Sequence, residues 1–193
     1  MSRGLGDVYK RQHIGIGHVR YPTAGSEDRE LAQPMYVNSP FGISIAHNGN
    51  LTNADELRET LVHKDLRHLN TDSDSEILLN VFAHELQKQG VIEPGAKEIF
   101  AAVRALHKRV RGAYSVVIMI NGLGIVGFRD PFGIRPLIIG SKDDDLIGKD
   151  YMIASESNVL DSLGYEIIDD IHAGSAVFIT VSYTHLTLPT TRY

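Results

Sequence analysis

The sequence predicts an α+β fold with largely antiparallel sheets. Three observations carry that expectation. Strand-like runs come first, then three amphipathic helices in succession, then mostly strands joined as hairpins rather than through β-α-β crossovers. The hydrophobic period changes after Gly112, from helical spacing to a β-rich run closed by the hairpin dipeptide Asn121-Gly122. The run Ala113 to Ile120 is apolar on both faces, so it needs cover on both sides, which predicts helices packed outside stacked sheets.

Taken in order, Met1 to Gln12 has neither period nor cap. A strand is expected near Ile14, with Ile16 and Val19 around two glycines, and Pro22 with Gly25 breaks it. Ser26 to Gln33 is polar and reads as loop. Gly42 to Ala46 alternates as a strand, and His47 to Thr52 reads as a tight corner into a helix whose capping box would be Asn53 and Glu56. That helix runs to about His63 with Leu57 and Leu61 inward. Ser73 and Glu76 form a second box, ahead of a helix with Ile77, Leu78, Val81, Phe82 and Leu86 on its apolar face, ending near Gly90. The third helix spans about Gly95 to Arg111, with a basic last turn and Gly112 as its C′ residue.

Beyond it, Ala113 to Ile120 and Leu123 to Phe128 form a hairpin. Arg129 to Pro136 is a corner, Leu137 to Gly140 a strand, and Ser141 to Asp150 an acidic loop. Tyr151 to Ala154 is a strand and Ser155 to Leu163 a short helix closed by Gly164. Tyr165 to Ile168 and Ser175 to Thr180 make a final hairpin.

Composition narrows the function. The chain has 193 residues, 42% hydrophobic and 22% charged, enough for one domain with a core. Its 19 basic and 24 acidic residues give a net charge of −5, so no nucleic-acid partner is expected. No apolar run is long enough to span a membrane and no signal-peptide pattern opens the chain, so the expected location is cytoplasmic. There is no cysteine, which excludes disulfides, thiolate metal ligands and a thiol nucleophile among these residues.

Three groups of residues carry possible chemistry. In Gly17-His18-Val19-Arg20-Tyr21-Pro22-Thr23, Arg20 just after a strand end is either a surface arginine or a fork for both oxygens of a carboxylate. In Ala46-His47-Asn48-Gly49-Asn50, the pair Asn48-Gly49 is either a turn dipeptide or an oxyanion hole made of a carboxamide and a backbone N–H. In Thr71-Asp72-Ser73-Asp74-Ser75-Glu76, the carboxylates alternate as in a calcium loop, but Ile77 stands where that loop needs glycine. Capping accounts for Ser73 and Glu76 and leaves Asp74 over, free to hold an ammonium group. No metal site is expected: His63 and His68 are not at helical i, i+4 spacing, His47 stands alone, and Asp143 to Asp145 reads as solvated loop.

Arg20, Asp74 and Asn48 with Gly49 match the carboxylate, the ammonium and the carbonyl oxygen of an amino acid with a side-chain amide. At these residues, and at Arg129-Asp130-Pro131-Phe132-Gly133-Ile134-Arg135-Pro136-Leu137, the sequence resembles the class II glutamine amidotransferase domain. The resemblance runs from Ile14 to Thr180, with four motifs in the family's order. It implies an N-terminal-nucleophile αββα four-layer sandwich. It implies that Arg20, helped by Thr23, clamps the glutamine α-carboxylate, that Asp74 takes the α-amino group, and that Asn48 and Gly49 form the oxyanion hole. The family's nucleophile is the thiol of an N-terminal cysteine with its own amine as base; it is absent here, so this chain by itself is expected to be inactive.

The resemblance is to members that join this domain to a phosphoribosyltransferase domain acting in purine synthesis. It implies that such a domain is missing in cis, that Mg2+ belongs there with no cofactor in this domain, and that the full-length protein is a homo-oligomer. Residues 14–180 are expected to be a partial domain. Residues 1–13 and 181–193 match nothing in the family and read as foreign sequence, such as translated adapter. Without the family's first strands, the isolated chain is expected to be only marginally stable. Two alternatives stay open: the glutaminase half of glucosamine-6-phosphate synthase or a related member, and a module that binds glutamine without hydrolysing it.

Overall fold

The computed structural model describes residues 14–19, 31–144 and 148–180. Two antiparallel sheets stack between helices. The larger, in the order β1-β2-β3-β4-β8, consists of β1 (Met35–Val37), β2 (Ile43–Leu51), β3 (Gly112–Ile120), β4 (Gly124–Arg129) and β8 (Ala176–Thr180). The smaller, in the order β6-β5-β7, has β5 (Ile138–Asp144), β6 (Gly148–Ala154) and β7 (Glu166–Asp170). The helices α1 (Ala54–His63), α2 (Asp74–Gln87) and α3 (Ala96–Arg109) cover the outer face of the larger sheet. The short α4 (Ser157–Ser162) lies against β6 and β7. The four αββα layers expected from the resemblance are present.

The alternation of β3 explains the layering. Tyr114, Val116, Ile118 and Ile120 are buried against α2 and α3, with Phe82, Ile99 and Leu106 among the helical residues that meet them. The opposite face brings Val117 to a smaller core formed by Leu137, Ile139, Ile171 and Val177 between the sheets. Gly127 lets the sheets close there, because a Cβ at that position would come within 2.9 Å of the Ile153 side chain.

Several sequence expectations are corrected. His47 to Thr52 is not a corner: β2 runs through to Leu51 because β3 supplies a ladder partner for every residue, from Ile43↔Ile120 to Leu51↔Gly112. Asn53 starts α1 but caps nothing in it. Its amide instead donates to the Arg109 carbonyl (2.9 Å) and accepts from the Arg111 N–H (2.9 Å), tying α1 to the end of α3. Gly112 is not a helix-closing residue but the first residue of β3.

Within the expected acidic loop, Ser141–Asp144 and Gly148–Asp150 are strand instead, pairing as the tips of β5 and β6, with Asp143 opposite Lys149. The last two strands are not a hairpin: β7 pairs with β5 and β8 with β4, in different sheets. Residues 14–19 form no strand, and β1, hidden between Pro34 and Pro40, was not anticipated. The segments 1–13 and 181–193 lie outside the described residues.

Candidate active site

A cleft of about 1560 Å³ opens between the sheets, with Asn48, Gly49 and Asp74 in one wall and Tyr151, Met152 and Ile153 in the other. Asn48 is exposed, opposite Ser115 in the β2–β3 ladder. Gly49 has φ +147°, and a Cβ there would fall on the Ala113 carbonyl oxygen, so the backbone can follow this path only as glycine. The pair is therefore not a turn dipeptide; it is a special backbone position within a strand, next to an exposed carboxamide.

Asp74 is the first residue of α2 and is partly exposed to the cleft. One carboxylate oxygen accepts the Leu51 N–H (3.2 Å), which draws the helix start against the end of β2. The capping box expected at this helix is rebuilt. Ser73 is the N-cap and accepts from the Ser75 N–H. Glu76 turns back to accept from Asn70 N (2.8 Å) and Thr71 N (2.7 Å), and from both of their side chains. Burial raises the Glu76 pKa, but these four donors more than offset that and hold it below the usual value. Asp72 also lines the cleft but is fully exposed, and it pairs with Arg58 at 3.3 Å. The three carboxylates of the calcium-like pattern thus have three separate jobs, and among the described residues no group of three His, Asp or Glu side chains gathers as for a metal ion.

His47 does not stand alone. It is 3% exposed, with Nδ1 3.0 Å from Ser75 Oγ and 3.8 Å from Asp74 Oδ1. Burial lowers its pKa; Asp74 opposes that, while His18 and Arg135 add to it. Gln33 accepts the His47 N–H and donates to the His47 carbonyl (3.2 Å) and to Ser75 Oγ (3.1 Å). Sequence reasoning missed His47, Ser75 and Gln33. A histidine directly before Asn48 and a serine directly after Asp74 were the available signals; Gln33, 14 residues upstream of His47, had none. Arg20 and Thr23 lie outside the described residues, so their assignment stays with the resemblance.

Two antiparallel sheets sandwiched by helices, and a cleft holding a carboxamide beside an obligatory glycine and a carboxylate at a helix start, define a class. A glutamine amidotransferase domain profile matches residues 18–162, and the chain belongs to that family. Its relatives include the amidophosphoribosyltransferases of Pseudomonas aeruginosa, 55% identical over 181 residues, and of Escherichia coli, 53% identical over 183. These alignments cover 90% and 91% of this chain. The chain spans only 36% of either protein's length. Among solved structures, the glutamine phosphoribosylpyrophosphate amidotransferase of B. subtilis, complexed with ADP and GMP, superposes with a TM-score of 0.68 at 29% identity. That match covers 89% of this chain and 34% of the B. subtilis chain.

Proposed function

We propose that this domain is the glutaminase part of an amidophosphoribosyltransferase, supplying ammonia from glutamine for phosphoribosylamine formation in purine synthesis. The observation that carries it is the meeting of Asn48, Gly49 and Asp74 in one cleft, within a family whose members act on glutamine. Asp74 holds the substrate α-ammonium, its position set by the Leu51 N–H. Arg20, with Thr23, takes the α-carboxylate. The side-chain amide then lies toward Asn48 and Gly49. A thiolate attacks the amide carbon, the carbonyl oxygen becomes an oxyanion, and the Asn48 carboxamide and Gly49 N–H stabilise it. Ammonia leaves with a proton from the general base, and water releases glutamate from the thioester.

The 193 residues contain no cysteine, so the thiol must come from outside them. No metal takes part in this amide chemistry; Mg2+ belongs with a phosphoribosyltransferase domain in cis. The full-length protein is, on this reading, a cytoplasmic homo-oligomer.

The test uses a full-length enzyme carrying this domain, assayed with glutamine and separately with ammonium salt. Asp74→Asn and Arg20→Ala should each weaken glutamine use and spare synthesis from ammonia, because added ammonia bypasses the amino-acid site. Parallel loss of both activities would refute the assigned roles, and an enzyme that makes no product from glutamine would refute the function.

A further inference from the structure

The Gln33–His47–Ser75 cluster is more elaborate than packing requires. β1 pairs with β2 as far as Met35↔Ile45, and Pro34, which has no N–H, stops the ladder there. Two residues on, the Gln33 carboxamide replaces it, bonding both the N–H and the carbonyl of His47. The backbone N–H can only donate, so Gln33 Oε1 faces it and Gln33 Nε2 faces Ser75 Oγ. Ser75 Oγ therefore accepts from Gln33 and also bonds His47 Nδ1, 3.0 Å away, as donor or acceptor according to the His47 tautomer. His47 Nε2 is buried and has no partner among the described residues.

β2 alternates, so the His47 side chain is on the helix side while its neighbour Asn48 is on the cleft side. Three ties then join this strand region to the first turn of α2: Leu51 N–H to Asp74, His47 to Ser75, and Gln33 to Ser75.

We propose that His47 is a positioning residue which, through Ser75 and Gln33, fixes the spacing between the oxyanion pair Asn48–Gly49 and the ammonium-binding Asp74. The inference deepens the glutaminase reading and rests on it. Glutamine spans both groups, so a strand shifted relative to α2 misplaces the amide even when each end is still bound. A misplacement of about 1 Å costs on the order of 10²-fold.

Variants are made in a full-length enzyme carrying this domain, and kcat and KM are measured with glutamine and with ammonium salt. His47→Leu should lower kcat/KM for glutamine by about 10²-fold, with the ammonia-dependent rate unchanged. His47→Asn places a carboxamide, able to accept or donate, where Nδ1 lies and should recover most of the loss; His47→Gln, which reaches toward the Nε2 position, should not. Ser75→Ala, which breaks the ties to both His47 and Gln33, should be at least as impaired as His47→Leu, and the double variant should be no worse than Ser75→Ala.

The proposal is overturned if His47→Leu keeps its glutamine kinetics, if His47→Asn is as impaired as His47→Leu, if the two losses multiply, or if the ammonia-dependent rate falls in parallel. An unmodified enzyme unable to use glutamine overturns the functional reading and this proposal with it. Loss of rescue with glutamine use intact overturns this proposal alone.

Discussion

Asn48 and Gly49 are adjacent yet constrained in different ways, and their variants should fail differently. Asn48 is exposed and, among the described residues, none of the hydrogen bonds that hold the fold runs through its side chain, so Asn48→Ala should leave stability within about 0.5 kcal/mol. In the full-length enzyme the same change should lower the glutamine-dependent kcat by about 10²–10³. Gly49→Ala should instead damage the fold, because the added methyl meets the Ala113 carbonyl at φ +147°. A loss of at least about 2 kcal/mol is expected from the positive φ and the clash together. Thermal melts and glutamine kinetics on both variants check this; an Asn48→Ala protein that melts early, or a Gly49→Ala protein that melts normally, would contradict it.

Among the elements, the junction of α3 with β3 carries a second buried histidine. His107 Nδ1 bonds the Tyr114 hydroxyl at 2.8 Å, and the ring stacks on Tyr114 and meets the edge of Phe128. Burial lowers its pKa to about 4, with Asp130 opposing. A histidine whose folded pKa lies below its unfolded value binds its proton more readily when unfolded. Its stabilising contribution is whole above the unfolded value near 6.5 and is lost as pH falls toward 4. The loss across that window is about 3 kcal/mol. His107→Phe should therefore flatten the acid limb of a stability-versus-pH curve between those values, whatever its effect at neutral pH. An acid limb as steep as in the unmodified protein would show that His107 does not cause it.

Across the whole molecule, the two layers of apolar packing are unequal. The core between the helices and the larger sheet contains Phe82, Leu106, Tyr114 and Phe128, all fully buried. Between the sheets, the buried cluster among the described residues is Leu137, Ile139, Ile171 and Val177, beside the open cleft. Opening free energy follows buried apolar contact. Amide exchange in β5, β6 and β7 should thus be faster than in β2 and β3, and a uniform protection pattern would contradict this ordering.

The molecule also carries a chemical boundary. The 193 residues without a thiol should release no glutamate from glutamine at an enzymatic rate, about 1 s⁻¹ or more. Turnover at that rate would mean a nucleophile other than cysteine.

The sequence by itself determined the helices and the Asn121-Gly122 hairpin, because period and turn residues are local or short-range signals, and the αββα layering came with the resemblance that the four motifs carry. It also picked out Asn48, Gly49 and Asp74 by residue type and spacing. Tertiary structure decided what those signals were used for. Asn53 gave up its local cap for bonds to residues 109 and 111, and Glu76 did so for residues 70 and 71. His47 acquired partners at positions 33 and 75. The strand continued through Asn48-Gly49 because β3 offered a full ladder, and the last two strands parted because each found a different sheet edge. Hydrogen-bonding side chains and strand edges choose among all partners the folded chain brings near, and sequence spacing shows only the nearby ones.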